Sequence, residues 1–223
     1  MRENVSESQS NAHLTRFYKG FVAVVKRLCY YKTVKDFDLL RALKSYKPFD
    51  EKEAEHLRNV LSFLAANDNA YSRSNFVGHI TGSGFLMNTN LTKILMTHHK
   101  SLGRWLQFGG HSDGDTNTMR VAMRETTEES GIKNFKPLGK GIIDIDVHPI
   151  AYREDKQEPA HFHYDIRFIF TTNEDKFQIS DESDDLRWFT MEEFKKMGGR
   201  EEQQRLIKKW EQLQKEKTLG IDI

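Results

Sequence analysis

The chain has 223 residues, of which 37% are hydrophobic and 30% charged, and its formal net charge at pH 7 is +1. This composition is typical of a globular protein with a modest core, and the length accommodates one full domain plus a smaller element. Because the net charge is close to zero, no overall field would attract nucleic acid or an anionic membrane, and we expect neither as a partner.

Cysteine usage and hydropathy narrow the cellular setting. Cys29 is the single cysteine, which excludes an intrachain disulfide and favours a reducing cytoplasm. The first 16 residues lack the apolar segment of a secretory signal. No run approaches the ~20 apolar residues that a membrane span requires.

Residues 1–68 are predicted to form a small helical region, with disorder over about the first 12 residues. Apolar residues recur at helical spacing in three stretches. The third stretch begins at Asp50, an N-cap with Glu53 as its capping-box partner. The stripes expected to be buried include Leu40 in the second helix and Ala54, Leu57, Leu61 and Leu64 in the third. The three predicted helices cover residues 14–28, 37–46 and 50–64.

A linker over residues 66–75 leads into a second region, residues 76–223, in which strand patterns dominate. The pattern predicts a hairpin of two strands, a strand that carries Trp105, a long central strand, and a strand that ends in Trp188 and Phe189. A helix near Met191 is broken by two glycines and followed by a last amphipathic helix through Trp210. The first five predicted strands cover residues 78–88, 93–100, 103–111, 139–147 and 161–172, and the last is a short strand that ends at Phe189.

One further helix is predicted over residues 116–131. Thr116 or Asp115 is expected to cap its start, and Gly131 can end it in the left-handed conformation. The spacing i, i+3, i+4, i+7 predicts one buried face. That face consists of Met119, Ala122, Met123 and Thr126.

The same helix places Glu125, Glu128 and Glu129 on a different face. Carboxylates at this spacing repel one another, and near a helix C-terminus the dipole favours cations instead. A hard divalent cation such as Mg²⁺ would reverse these effects, since it binds oxygen ligands. The alternative interpretation is a solvated acidic face on which Arg124 pairs with Glu128.

Together with the Gly-Gly loop before it, this helix resembles the Nudix box, G-x5-E-x7-R-E-U-x-E-E-x-G-U, where U is bulky and apolar. Thr116 replaces the first glutamate, Thr126 replaces an apolar residue, and Phe108 stands where a proline is usual. Asp113 and Asp115 are close enough in sequence to compensate for Thr116. The resemblance covers about residues 76–197. The residues in register are Gly110, Arg124, Glu125, Glu128, Glu129, Gly131 and Ile132.

The resemblance implies an α/β fold, a Nudix-type α/β/α sandwich with a mixed sheet. It also implies metal-dependent hydrolysis of a diphosphate linkage in a nucleoside diphosphate joined to another moiety. Glu125, Glu128 and Glu129 would bind Mg²⁺ or Mn²⁺, and Arg124 would hold the carboxylates in place. The backbone of Gly109 and Gly110 would bring the loop close to the metal site, because glycine adds no Cβ.

A general base is also required, and Nudix proteins take it from the box or from a distant loop. Glu182, in an acidic loop before Trp188, is the candidate for the distant base. The alternative for Glu182, Asp184 and Asp185 is a solvated turn. The catalytic candidates are therefore Glu125, Glu128, Arg124 and Glu182.

Alternatives remain open at this stage. Thr116 is compatible with a nucleotide-binding or regulatory module that has lost turnover. An isomerase of isoprenoid diphosphates would need a catalytic cysteine, and Cys29 is far from the box. His161 and His163 would share one face of a strand. A zinc site would need further ligands, for which His148 and His111 are candidates. Ordinary polar or substrate-facing roles are preferred for these histidines. The sequence leaves open which nucleotide or other diphosphate compound is the substrate, and a homodimer is one possible assembly.

Overall fold

The computed structural model describes residues 34–139, 141–154 and 157–221. The predicted helix over 14–28, the disorder expected for the first residues, and Cys29 all lie outside the described residues. The division of the chain into regions 1–68 and 76–223 stays a prediction. Within the described ranges, no helix combines the length and apolar character that crossing a bilayer would require.

An eight-stranded mixed sheet forms the centre of the fold. The two longest strands, β1 and β7, pair in parallel from Gly78–Phe162 to Asn88–Thr172. All the other pairings are antiparallel: β2 and β4 pair with β1, β3 and β8 with β2, and β5 and β6 with β7. The strands are β1 (Gly78–Asn88), β2 (Lys93–His99), β3 (Arg104–Leu106), β4 (Phe108–His111), β5 (Phe135–Pro137), β6 (Asp144–Ile150), β7 (His161–Thr172) and β8 (Ser183–Thr190).

Helices cover both faces of the sheet, as the predicted α/β/α sandwich requires. Successive residues of a strand point to opposite faces. Phe85 and Met87 of β1 share a buried cluster with Trp210 of the last helix, whereas a Cβ at Gly82 would lie 2.6 Å from the carbonyl oxygen of Thr118. The helices are α1 (Leu39–Ser45), α2 (Glu51–Ala66), α3 (Thr118–Ser130), α4 (Met191–Lys196) and α5 (Glu201–Thr218).

The acidic helix is α3, and its N-cap, Asn117, lies one residue after the predicted Thr116. Neither Thr116 nor Asp115 is the N-cap; the side chain of Asn117 accepts from the backbone N–H of Arg120 at 2.9 Å. Asp115 instead accepts the N–H of Asn117, at 2.9 Å. Gly131 ends the helix at φ 70°, as predicted. Three of the four residues of the predicted buried face are fully buried, and Met123 is half-buried.

The buried residues of α2 lie one position before the residues that were predicted to be buried. Glu53, His56, Val60 and Phe63 are the buried residues, whereas the predicted leucines and Ala54 are only half-buried. The cause is polar pairing with β6. The Glu53 carboxylate accepts from the N–H of Ile145 at 3.0 Å, and His56 Nδ1 lies 3.2 Å from the carbonyl oxygen of the same residue. In α1, Leu40 is 45% exposed, so its predicted burial is also wrong.

Two strand predictions also need correction. The segment 103–111 forms two strands rather than one, because β3 pairs with β2 while β4 pairs with β1. The strand predicted over 139–147 runs from Asp144 to Ile150, in register with β7 from Arg167 back to His161. His148 therefore belongs to a strand and not to the polar connection.

A buried ionic network connects α2, β6, β7 and α5. Asp144 of β6 is fully buried and bonds Arg167 at 3.1 Å, Arg205 at 2.7 Å and Lys209 at 2.7 Å. Lys209 also donates to Glu53 at 2.6 Å. Burial alone would raise the pKa of Asp144, but the hydrogen bond from Arg205 and the nearby Lys209 and Arg167 charges lower it. This network fixes the helices relative to the strands that form one side of the candidate site.

Candidate active site

The acidic end of α3, the Gly-Gly strand β4 and the loop before β8 face one cavity of about 490 Å³. The structure brings together every residue predicted for the site. Its carboxylates lie with several arginines from distant parts of the chain. The predicted residues in the lining are Gly109, Gly110, Arg124, Glu125, Glu128, Glu129 and Glu182.

The two glycines of β4 lie directly against the carboxylates. The backbone N–H of Gly109 donates to Glu129 at 2.8 Å. A Cβ at Gly110 would lie 2.5 Å from the carboxyl carbon of Glu125. Such a distance is too short for two carbon atoms, so only glycine permits this close approach. The expectation that the loop backbone comes near the acidic cluster therefore matches the geometry.

The carboxylates differ in burial, and burial raises the pKa of two of them. Glu129 is 8% exposed, and burial raises its pKa to about 8, with Glu125 and Glu182 adding to the shift and the Gly109 hydrogen bond opposing it. Burial also raises the pKa of Glu125, against the effect of Arg124. Glu128 is exposed. A cluster in which burial and like charge both disfavour ionisation is suited to receive a positive charge.

Arg124 connects this cluster to the loop. Its guanidinium lies 2.8 Å from Glu125 and 3.3 Å from Glu128, and it donates to the carbonyl oxygen of His111 at 3.1 Å. The predicted pairing with Glu128 is thus present. One side chain positions two carboxylates of the helix and the backbone that follows the glycines.

The two aspartates considered as substitutes for the missing first glutamate have other partners. Both oxygens of Asp113 bond Arg73, at 2.6 Å each, although Asp113 does line the cavity. Asp115 bonds Arg120 at 2.7 Å and is absent from the described lining of the cavity. The hydrogen bond from Arg73 lowers the pKa of Asp113, so its carboxylate stays ionised.

Glu182 reaches the cavity from the loop before β8. The carbonyl oxygen of Glu182 accepts from the N–H of Lys100 at 3.0 Å, and Lys100 Nζ donates to the carbonyl oxygen of Asp181 at 2.7 Å. Asp184 instead lies 3.5 Å from His98. Of the three acidic residues considered in this segment, Glu182 is the one that lines the cavity.

Basic residues on the cavity wall were not predicted. They come from the linker, from β3, from the region around β6 and β7, and from the N-cap of α5, so no local spacing connects them. Guanidinium groups bind phosphate oxygens well, often in pairs of hydrogen bonds. The cavity therefore combines a carboxylate side with guanidinium groups. The arginines in the lining, besides Arg124, are Arg73, Arg104, Arg153, Arg167 and Arg200.

Four histidines also gather beside the cavity, and two of them, His111 and His163, line it. His161 and His163 do share one face of β7, with ring centroids 5.0 Å apart, as predicted. His79 was missed; it lies on β1, 4.7 Å from the ring of His161 and 4.9 Å from that of His163. His111 is 4.8 Å from His79. Both nitrogens of His79 and Nε2 of each of the other three rings are buried without a hydrogen-bond partner, which costs about 1–3 kcal/mol per group.

Comparison with known proteins identifies the class to which this fold and site belong. The NUDIX domain model matches residues 79–210. The chain therefore belongs to the NUDIX family.

The individual proteins that resemble this chain share less than 30% of its residues over the aligned segments. A probable DHNTP pyrophosphohydrolase from Lactococcus lactis subsp. cremoris (strain MG1363) is 28% identical over 110 residues, which is 47% of this chain and 63%, less than two thirds, of the relative. A NUDIX-family hydrolase from Clostridium perfringens is 20% identical with TM-score 0.44, covering 60% of this chain and 97% of the other. The E. coli dihydroneopterin triphosphate pyrophosphohydrolase is 12% identical with TM-score 0.44, covering 56% and 90%.

Proposed function

We propose that this protein hydrolyses a diphosphate linkage in a nucleotide-like substrate, using Mg²⁺ or Mn²⁺ bound by Glu125, Glu128 and Glu129. The observation that carries the proposal is the convergence of these carboxylates on the Gly-Gly backbone, in a cavity that also contains arginines. The cytoplasmic location expected from the single cysteine belongs to the same proposal.

The residues present fit a hard divalent cation. Carboxylate oxygens are the ligands that Mg²⁺ prefers, and a 2+ charge would offset the burial that now disfavours ionised Glu129 and Glu125. The Gly110 backbone leaves the Glu125 carboxylate room at the cavity wall. When bound, such an ion polarises the phosphate oxygens and lowers the pKa of a coordinated water.

The chain's own residues account for the remaining parts of the reaction. Arg124 positions Glu125 and Glu128 through its two ion pairs. Glu182 lies at the cavity and is our candidate to take a proton from the attacking water. Arginines of the lining outside the buried network, such as Arg104, hold the phosphate oxygens and offset their negative charge, which would otherwise repel the nucleophile.

A substrate screen tests the proposal. The panel contains dihydroneopterin triphosphate, prompted by the name of the Lactococcus relative, together with a nucleoside triphosphate, a dinucleotide, a nucleotide sugar and a coenzyme A derivative. With Mg²⁺ or Mn²⁺ present, we expect at least one member to release a phosphate or diphosphate product, and chelation to stop the release. Absence of product from every member with either metal would contradict the proposal.

A second candidate function is a nucleotide-binding or regulatory module without turnover. Two observations favour it: Thr116 replaces the first box glutamate, and Asp113, a possible substitute, is engaged by Arg73. Calorimetry with the same panel separates the two functions. Ligand binding with no product over hours would favour the binding module.

Gly110→Ala is expected to lower kcat by about 10²-fold, because the new Cβ must displace the Glu125 carboxylate, and small displacements of catalytic groups have effects of this size. Gly141→Ala is the matched control, since a Cβ there meets nothing within 4 Å. Steady-state kinetics on the best panel substrate, with circular dichroism to verify folding, measures the effect. Equal kcat for the two variants would show that the close approach at Gly110 is unimportant.

A further inference from the structure

Three imidazoles from three adjacent strands converge beside the cavity, and two of them, His111 and His163, line it. His79 of β1 is directly opposite His163 of β7 in the parallel register. On the other side of β1, His111 of β4 is opposite Thr81, two residues from His79 and on the same face. One ring nitrogen from each histidine lies within 4.8 Å of the other two. The register of the sheet, not a flexible loop, thus produces the cluster.

Four of the six ring nitrogens of this cluster are buried without a hydrogen-bond partner. His79 is 1% exposed, and neither of its ring nitrogens makes a hydrogen bond. The backbone of Asn75 is near the ring and acts to raise its pKa, but it does not meet the geometry of a hydrogen bond. Nε2 of His111 and Nε2 of His163 are likewise buried and unpartnered. Buried polar side chains are nearly always satisfied, so three that meet at one point indicate a ligand.

We propose that His79, His111 and His163 bind a divalent transition-metal ion, Zn²⁺ above others, at a second site separate from the carboxylates of α3. Imidazole nitrogen suits Zn²⁺, whereas Mg²⁺ and Mn²⁺ prefer oxygen. Tetrahedral Zn²⁺ with bonds of about 2.0–2.1 Å needs nitrogens roughly 3.3 Å apart, so the rings must turn inward slightly from their present separations.

His161 is the candidate for the fourth ligand. Its Nδ1 lies 2.7 Å from the carbonyl oxygen of Pro159, which accepts the ring proton and leaves Nε2 as the nitrogen with the lone pair. That Nε2 is buried and makes no hydrogen bond. Its ring centroid is 4.7 Å from that of His79 and 5.0 Å from that of His163.

The protonation state supports metal binding. Burial lowers the pKa of His79, and it lowers the pKa of His111 to about 4, where the charge of Arg73 adds to the effect. Burial also lowers the pKa of His163, to about 2. Neutral imidazole is the form that binds metal, so no proton has to leave these rings at pH 7.

The second site would stabilise the first through one residue. His111 offers its ring to the transition metal, while its carbonyl oxygen accepts from Arg124 at 3.1 Å. Arg124 in turn pairs with Glu125 and Glu128. A metal held by His111 would therefore fix the end of β4, on which the arrangement of the carboxylates depends.

The test uses the full chain after removal of metal with a chelator. Zn²⁺ is then added back, and the protein is passed through gel filtration. We expect elemental analysis to find one Zn²⁺ retained per chain. Co²⁺ in its place is expected to give the strong visible absorption of a four-coordinate nitrogen site. His111→Gln and His163→Gln should each lose both signals. His98→Gln, at a ring that packs on Trp105 instead, is the matched control and should keep them.

A variant with Glu125, Glu128 and Glu129 all changed to glutamine distinguishes this site from the proposed catalytic one, and it should retain Zn²⁺ whether or not any substrate is hydrolysed. His79 is fully buried, so the test relies on the half-buried His111 and His163, with circular dichroism to verify folding. If wild-type protein retains no zinc, or if the glutamine variant loses zinc while both histidine variants keep it, the second site is overturned.

Discussion

Glu128→Gln is expected to reduce kcat by about 10³-fold on the best panel substrate, because metal charge contributes several kcal/mol to stabilising the transition state. Glu128 is the exposed member of the cluster, and its described contact is the ion pair with Arg124. The substitution keeps the size of the side chain and removes its charge. We therefore expect the fold to be unaffected, and the thermal unfolding midpoint checks this.

Glu211→Gln is the matched control for this variant. Glu211 is also an exposed helical glutamate paired with a cation, Lys195 at 2.7 Å, but it is remote from the described lining of the cavity. Its kcat should equal that of the wild type. A Glu128→Gln enzyme that hydrolyses the substrate as fast as this control would show that Glu128 does not bind the metal.

Asp144→Asn is expected to destabilise the protein by about 3–5 kcal/mol, because removing one partner leaves buried charges uncompensated. Asp144 is the point at which Arg167, Arg205 and Lys209 meet, and it is fully buried. Urea unfolding followed by circular dichroism measures the change in the free energy of unfolding. The control is Glu51→Gln, which breaks the exposed pair with Arg58 and should leave the unfolding midpoint unchanged.

The same network predicts a pH dependence of stability. The ion pairs lower the folded-state pKa of Asp144, and Arg167 and His148 lower that of Asp146, in both cases against the effect of burial. An aspartate whose folded pKa is depressed contributes stability above its unfolded pKa of about 3.9, and this stability is lost as pH falls below that value. Between pH 7 and pH 3, the free energy of unfolding should decrease more steeply with falling pH for the wild type than for Asp144→Asn. Parallel curves would contradict this account.

The acidic helix could be predicted from sequence because its determinants are local. The spacing of Glu125, Glu128 and Glu129, and the glycine at 131, specify a helix and its acidic face over a few turns. Its first residue could not be chosen, since Asp115, Thr116 and Asn117 are all good N-caps. Only the pairing of Asp115 with Arg120 and the Asn117 cap decide the start.

The buried face of α2 could not be predicted because it depends on distant partners. Glu53 is buried because Lys209, 156 residues later, donates to it. Local hydrophobic periodicity instead selects the leucines, which lie about one residue round the helix. The strand bounds of β6 were misplaced for a similar reason, since its pairing with β7 sets where it begins.

The residues of the candidate site likewise fall into those that local sequence predicts and those that depend on distant partners. The carboxylates and glycines were available from one continuous motif, whereas the arginines and His79 come from separate elements that only the sheet brings together. Glu182 was anticipated from the resemblance and not from any spacing. His161, His163 and His111 were already considered together from the sequence, and the parallel register of β1 with β7 supplied the missing His79.

Binding of Mn²⁺, measured by electron paramagnetic resonance of the free ion, tests the central claim most directly. Wild-type protein is titrated beside the variant with Glu125, Glu128 and Glu129 changed to glutamine, with a non-hydrolysable nucleotide analogue present. We predict that wild type removes Mn²⁺ from solution and that the variant binds it at least about tenfold more weakly, since each carboxylate supplies a charged oxygen ligand. Equal Mn²⁺ affinity of the two proteins would contradict the assignment of the metal to α3.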